Sequence, residues 1–395
     1  MVVAERGSTG TAKRPRDRKA QIAEAAAGLF REQGYHRVGI EDIAASVGIT
    51  GRAIYRHFAN KRDLLAHVVV DGVTRLEATV AEHAGDSLAE LLDAVAAVML
   101  DARDLGVLVQ REARHLNDDE QRELATRIDG VVETIGALVR ADRPELDGAD
   151  AGLLVRSAIA VLASPSYHAV AVPKATGEAL LAGMASAVLG SRALPRVATG
   201  APVVELDESA TAARASRREA VLAVAIELFA RNGYAAVRME DVGSAAGITG
   251  PSVYQHFAGK ADLLMAVLNR GAEWLQLGLA QAFSAGGDPA ESLRLVARSY
   301  VDFLLWHTDL MSVFLSETIH LPDDDRHAIR RVQHEYVSEW VRLLGAIRPE
   351  LSPAEARFAV QGAVALVNDI VHRAERGRAD IDEILLQLAL EVMGL

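Results

Sequence analysis

Two groups of residues in this 395-residue chain carry side chains that could do chemistry. The first is His320, Asp323, Asp324, Asp325 and His327. Imidazoles and carboxylates this close together could hold a divalent ion, but their spacing fits no metal-ligand signature. Leu321-Pro322-Asp323-Asp324 reads as a helix break followed by a cap. The second group occurs twice: Tyr55, His57 and Lys61 stand in YRHFANKRDLL, and Tyr254, His256 and Lys260 stand in YQHFAGKADLL. Neither group is accompanied by a phosphate-cradling glycine loop or by a nucleophile paired with a base. There is no cysteine, so thiol catalysis, Cys-based zinc and disulfides are excluded. The chain is therefore expected to be no enzyme and to need no metal or cofactor.

The duplicated words belong to a longer repeat. With an offset of 199 residues, Arg18 to Leu65 align without a gap on the later copy, including Phe30 on Phe229 and Gly48-Ile49-Thr50-Gly51 on Gly247-Ile248-Thr249-Gly250. The echo resumes with an offset of 205: Glu112, His115 and Leu116 match Glu317, His320 and Leu321, and Arg143-Pro144-Glu145-Leu146 matches Arg348-Pro349-Glu350-Leu351. Two copies of one unit follow, with six extra residues in the middle of the second; a period this long means tandem domains rather than a solenoid. The expected segments are a basic arm (1–17), a first head (18–65), a first helical domain (66–190), a linker rich in small residues (191–212), a second head (213–264) and a second helical domain (265–395).

Each head reads as three short helices. Ile22, Ala26, Leu29 and Phe30 share one helix face, as do Val221, Ala225, Leu228 and Phe229. Gly34 and Gly233 stop these helices where a left-handed residue is favoured. A second helix runs through Glu41-Asp42-Ile43-Ala44 to Gly48, and Thr50 is placed to cap a third. Helix, glycine-containing turn, helix is helix-turn-helix geometry, with Ile43, Val47, Ile49, Ile54 and Phe58 as its core. The apolar positions of the third helix persist between copies. Its outward positions change: Arg52 becomes Pro251, Ala53 becomes Ser252 and Arg56 becomes Gln255. A variable surface on a constant scaffold suits a reading head.

The run Phe-x-x-x-Gly-Tyr, then Asp-Ile-Ala-x-x-x-Gly-Ile-Thr, then Tyr-x-His-Phe-x-x-Lys-x-x-Leu-Leu resembles the tetracycline-repressor (TetR) family of bacterial transcription regulators. The resemblance covers about the first fifty residues of each copy. It implies an all-α fold of two tandem units, each a DNA-binding head followed by a helical ligand and dimerisation domain. By that resemblance Tyr55, His57 and Lys61, with Tyr254, His256 and Lys260, would hold phosphates. Thr50, Gly51, Arg52, Ala53 and Arg56 would lie along the DNA, as would Thr249, Gly250, Pro251, Ser252 and Gln255. Gly39 and Arg238 stand where the family places a hydroxyl residue, so no hydroxyl contact is carried over there. Phosphate contacts set register while base contacts specify; Arg suits guanine and Gln suits adenine.

Charge agrees. The chain carries a net −12, which argues against a general nucleic-acid binder. Residues 13–65 nevertheless hold a net +5 and residues 214–264 a net +1, leaving −18 for the rest. Positive charge is gathered onto the heads, where it attracts phosphate. Lys13, Arg14 and Arg16 could reach into a minor groove, or form only a solvated tail. The longest apolar run, Leu153 to Val172, is broken by Arg156 and Pro165, and the N-terminus is basic without an apolar stretch. A soluble, cytoplasmic protein with no membrane partner is expected.

After each head comes a helical pattern rich in Ala and Leu. Asp147 and Ser352 read as caps of matching helices that carry Val155, Ala158, Ile159 and Leu162, or Val360, Ala363, Val364 and Val367. In the resembled family the last two helices form a dimer interface, so the two copies are expected to pair within one chain; a homodimer of such chains is the alternative. Ordinary intradomain core is the plainer reading. All three tryptophans lie in the second copy. Trp274, Tyr300, Phe303, Trp306, His307, Phe314 and Trp340, with His320, are the expected walls of a small-molecule pocket there. Core filling, or a site built from both copies, are the alternatives. The expected function is a repressor relieved by a small apolar or amphipathic effector, reading an asymmetric double-stranded DNA operator. An effector-independent DNA-binding protein is the competing reading.

Overall fold

A computed structural model describes residues 18–194, 216–372, 378 and 380–395. Every regular element among them is helical. The first unit runs α1 Arg18–Gln33, α2 Ile40–Ser46, α3 Gly51–Ile54, α4 Lys61–Glu82, α5 Leu88–Asp101, α6 Leu105–Val107, α7 Asp118–Asp142, α8 Gly148–Ala163 and α9 Lys174–Leu189. The second repeats it as α10 Arg217–Asn232, α11 Met239–Ala245, α12 Gly250–Val253, α13 Lys260–Ala285, α14 Pro289–Trp306, α15 Thr308–Ser316, α16 Asp323–Ile347, α17 Pro353–His372 and α18 Ile381–Val392. Adding nine to a first-unit label gives its counterpart. None of the described helices is long and apolar enough to cross a membrane. The basic arm with Lys13, Arg14 and Arg16, and linker residues 195–212, lie outside the described residues.

Local chemistry accounts for the helix starts. Asp147 Oδ1 accepts from the Asp150 amide at 2.8 Å. Ser352 makes a reciprocal capping box, its Oγ accepting from Glu355 N at 3.3 Å while Glu355 Oε2 accepts from Ser352 N at 2.8 Å. The six extra residues fall where the offset changes. Helix α13 has 26 residues against 22 in α4, and α14 has 18 against 14 in α5. The second unit thus has taller walls.

The two units pack on each other through α8 and α9 against α17 and α18. Val155, Ala158 and Leu162 of α8 are buried, as are Val360, Ala363 and Val367 of α17, with Leu181, Leu385 and Leu386. Ile159, Val364 and Leu180 are partly buried against the same core. Close approach depends on Gly362, where a Cβ would stand 3.2 Å from Met184 Sδ of α9. Arg378 spans the units, pairing with the buried Asp150 carboxylate and donating to Asp380 Oδ1 at 2.8 Å. The beginning of the expected linker is ordered: Ser191 and Leu194 are buried, and Arg143 donates to the carbonyls of Leu189, Ser191 and Leu194.

Candidate nucleic-acid interface and its connection to a cavity

Each head is held by glycine at two turns. Gly34 (φ +80°) and Gly233 (φ +74°) end α1 and α10; Gly48 (φ +69°) and Gly247 (φ +67°) end α2 and α11. At the latter pair Ile49 N donates to Ala44 O, and Ile248 N to Gly243 O, each at 2.9 Å, closing a helix terminus that L side chains rarely adopt. The N–H at the start of α2 is accepted by Asp42 Oδ2, and that of α11 by Asp241 Oδ2, both at 2.7 Å. Ile43, Ile54 and Phe58 are fully buried, and Val47 and Ile49 pack partly exposed against them.

The third helices are only one turn long, Gly51–Ile54 and Gly250–Val253, and tighten at once. His57 N bonds Ile54 O at 2.8 Å and His256 N bonds Val253 O at 3.0 Å, i→i+3 closures that end each helix. Outward from them stand Arg52, Tyr55, Arg56 and His57 in head one, and Pro251, Tyr254 and Gln255 in head two, all exposed; Ala53, Ser252 and His256 are half-buried. Tyr55 and Tyr254 are 56% and 49% exposed, large for rings with no packing role.

At three positions in each head the expected site residues have partners within the protein. Thr50 and Thr249 occupy the N-cap position but make no capping bond. Glu41 Oε2 takes the Gly51 N–H at 3.2 Å instead, and Thr249 Oγ faces Ser252 Oγ at 2.8 Å. Gly51 is buried, and a Cβ there would meet the Glu41 carboxylate. Gly250, half-buried, lies against Glu240 in the same way, with a Cβ 3.2 Å from Cγ. Lys61 does not reach out freely. Its ammonium donates to Tyr35 O (2.8 Å) and Val38 O (3.0 Å), over the Tyr35 ring at 4.2 Å. Lys260 donates to Ala235 O (3.3 Å) over Tyr234, also at 4.2 Å. Burial lowers the pKa of both lysines.

The repeated Glu-x-x-His, to which sequence reasoning assigned no role in both copies, fastens each head to its helical domain. Glu112, 1% exposed, follows a π turn (Leu108–Glu112) that continues α6, and its Oε2 accepts from the Tyr35 amide at 3.0 Å. Glu317, equally buried, accepts from the Tyr234 amide at 3.1 Å. His115 stacks on Tyr35 (4.9 Å) and His320 on Tyr234 (5.2 Å). Burial alone would raise the Glu317 pKa, but hydrogen bonds from His320, Arg114 and Ser316, with the Arg114 charge, bring it down to about 2. Arg114 belongs to the first unit, so this bond (2.9 Å to Oε1) crosses between copies. His320 is therefore spent on Glu317 and Tyr234, and does not wall a pocket. No cluster of metal-binding type exists among the described residues.

A cavity of about 1170 Å³ opens beside α14 to α17 of the second unit. Of the expected walls, Tyr300 and Phe314 line it. Tyr300 OH donates to Asn368 Oδ1 at 2.7 Å, and burial raises its pKa. Trp340 stands behind, edge-on to Tyr300 at 5.7 Å and 1% exposed; Phe303 is core as well. Trp274 and Trp306 face solvent, 43% and 53% exposed, with His307 against Trp274 at 4.9 Å. Of the seven expected walls, the other five thus lie away from this cavity. Met311, Tyr336 and Asn368 also line it and were outside the expected walls, and the side supplied by the first unit (Arg31, Glu32, Arg111 and Tyr167–Ala171) fits the alternative of a site built from both copies. His168 in that side is largely buried, its Nδ1 accepting from Val170 N at 3.2 Å; burial, with the Arg103 charge, pushes its pKa down to about 4.

Comparison with known proteins agrees with this anatomy. Residues 22–68 and 221–267 each match the family described as bacterial regulatory proteins, tetR family, and residues 286–389 match the tetracyclin repressor-like C-terminal domain, together about half of the chain. The chain belongs to the tetR family. It carries two of the family's DNA-binding units, and its relatives are transcription regulators rather than enzymes. Among them are the HTH-type transcriptional activator FasR of Mycolicibacterium smegmatis, 36% identical over 91 residues (23% of this chain, 42% of that protein). The fatty acid metabolism regulator protein of Bacillus subtilis is 24% identical over 133 residues (32% and 69%). The repressor KstR2 of Mycobacterium tuberculosis is 26% identical over 143 residues (34% and 72%). The solved structure of that KstR2 covers 45% of this chain and 94% of its own, with 22% identity and a TM-score of 0.40. The chain thus spans 42% of the length of FasR.

Proposed function

We propose that the chain is an effector-relieved transcriptional repressor that works as its own dimer. One polypeptide presents two reading helices, paired through α8, α9, α17 and α18. A homodimer offers identical helices and therefore reads a palindrome with half-sites about 34–36 Å apart. Here one helix offers Arg52 and Arg56 where the other offers Pro251 and Gln255, and this difference carries the reading of an asymmetric operator. Phosphates are met by Tyr55, His57 and Tyr254, whose exposure suits that role, and by the half-buried His256.

The effector is an amphipathic anion. The cavity is of ligand size. Its floor is apolar and aromatic, and four arginines border it with Glu32 as the one carboxylate of the lining; Arg31 and Arg111 are paired with Asp104 and Glu112, which leaves Arg330 and Arg357 to meet an anion. A relative that regulates fatty acid metabolism fits an acyl chain with a charged head. The cavity favours this reading over an effector-independent one.

Footprinting combined with light scattering tests the proposal. A monomer protecting a site whose halves differ is the expected result. A chain-to-chain dimer protecting a clean inverted repeat would overturn it, and an acyl anion that leaves the footprint unchanged would remove the effector.

A further inference from the structure

The same place in the fold is hollow in one unit and filled in the other. With the offsets of 199 and 205, Val73, Leu76, Val109, Ile159 and Ala163 correspond to Ala272, Leu275, Phe314, Val364 and Asn368. The latter five line the large cavity; the former five line a hollow of about 60 Å³. That space suits a few waters and is far below the few hundred Å³ of an effector pocket. Tyr167 borders both hollows.

The second-unit segment 314–320 touches three things at once. Phe314, Leu315, Thr318 and Ile319 face the cavity. Glu317 and His320 hold head two at Tyr234. Ile319 packs on Gly34 of head one so closely that a methyl there would run into it, and its carbonyl accepts from Arg37 at 2.7 Å. The cavity also borders head one directly, through Arg31 and Glu32 near the end of α1. The first unit's counterpart segment also borders the large cavity, through Gln110 and Arg111, but its own bonds run to head one, at Phe30, Arg31 and Tyr35, and it reaches head two through the Arg114 side chain.

Resting on the effector reading above, we infer that the chain has a single effector site, completed by the first unit, and that segment 314–320 transmits its occupancy to both heads. One molecule bound per pair of reading helices releases both. The first unit has given up its own site and become a wall of its neighbour's. An amphipathic anion that displaces Phe314 or Ile319 moves the carboxylate that fixes head two and the side chain that wedges head one.

Hydrogen exchange on the full-length, ligand-free protein tests the wiring without any effector. Glu317→Gln is expected to speed exchange of the amides around Tyr35 and around Tyr234, each roughly tenfold. Glu112→Gln should do so around Tyr35 alone. Faster exchange around Tyr234 only, in Glu317→Gln, overturns the wiring. Should that variant fail to fold, Ile319→Ala replaces it: faster exchange at residues 34–38 supports the link to head one, and unchanged exchange there overturns it. Calorimetry with lauroyl coenzyme A then reads the stoichiometry. One site per chain, abolished by Ala365→Trp, is the expected result; two equivalent sites overturn the single-site inference. An absence of binding removes the acyl-anion reading, while the exchange data decide the wiring by themselves.

Discussion

The two units differ most where their sequences give the least warning. Their heads can be laid over each other residue by residue, yet the first helical domain borders a hollow of about 60 Å³ on its own, while its counterpart in the second borders a cavity of about 1170 Å³ that the first unit completes. The hollow unit does not have smaller side chains. Phe314 stands for Val109, Tyr336 for Val131, and Met311 for Gly106. What differs is the frame: α13 and α14 are each four residues longer than α4 and α5, and α15 is a regular helix where the first unit has a π turn. Bulky residues on a longer frame become walls; on a shorter one, small residues close the gap. Buried apolar packing tolerates many fillings, so the same fold is kept with the hollow or without it.

The heads break this contrast, since each should stand or fall alone. Phe30 and Phe229 are fully buried in equivalent places. Phe30→Ala and Phe229→Ala are each expected to cost about 3–5 kcal/mol. Exchange measurements should find the mutated head open and the other protected. Opening of both heads by either change would mean that they form one cooperative unit.

A smaller effect sharpens the difference between the reading helices. Arg56→Gln copies head two onto head one, and Gln255→Arg does the reverse. A good bidentate base contact is worth about 1–3 kcal/mol of discrimination. Arg56→Gln should therefore weaken binding to the natural operator by roughly tenfold or more, with the loss confined to one half-site in footprints. Equal loss at both halves would show that these residues do not read bases.

Acid should separate the units in order. His115 and His168, both in the first unit, have pKa values pushed down to about 4, chiefly by burial. His36 and Arg114 add to the shift at His115, and Arg103 at His168. The unfolded chain, with histidine near its ordinary 6.5, binds more protons, so their contribution is complete above pH 6.5 and is lost as pH falls towards 4. Glu317, held at about 2, keeps its contribution above its ordinary 4.5 and loses it only between there and 2. The first unit should loosen first, losing about 2 kcal/mol per histidine between pH 7 and 5. His168→Asn should flatten that slope. A loss that begins only below pH 4.5 would contradict the assignment.

How much of this the sequence disclosed follows from the range of the forces involved. Gly34, Gly48 and the 3.6-residue spacing of Ile22, Ala26 and Phe30 are local signals, and they placed the heads correctly. The alternation of Asp147 and Ser352 caps did the same for α8 and α17. The role of Glu112 and Glu317 depends on an amide 77 and 83 residues away, which no local pattern announces. Their recurrence in both copies, amid divergent neighbours, was the one available signal. Trp274 and Trp306 misled because composition says how much aromatic surface exists, not which way it faces. The place of Gly51 opposite Glu41 is likewise set by packing between α2 and α3, which no local pattern announces.

The smallest expected difference lies between the two head lysines. Both open a helix, at the end where the peptide dipoles are least hospitable to a cation, so each needs nearby oxygens. Lys61 finds two carbonyls, at 2.8 and 3.0 Å, whereas Lys260 has one, at 3.3 Å. If the ammonium groups serve chiefly to pin the turn after the first helix, Lys61→Met should destabilise head one by about 1 kcal/mol, and Lys260→Met should cost head two less. DNA affinity would then fall in proportion to lost head structure, and the dependence of log affinity on log salt would keep its slope. If instead each lysine neutralises a phosphate, the slope should fall by roughly one per lysine removed, while thermal stability changes little. The geometry favours the first outcome for Lys61 more strongly than for Lys260. A loss of salt slope in Lys61→Met at unchanged Tm would place that ammonium on DNA and reverse the reading.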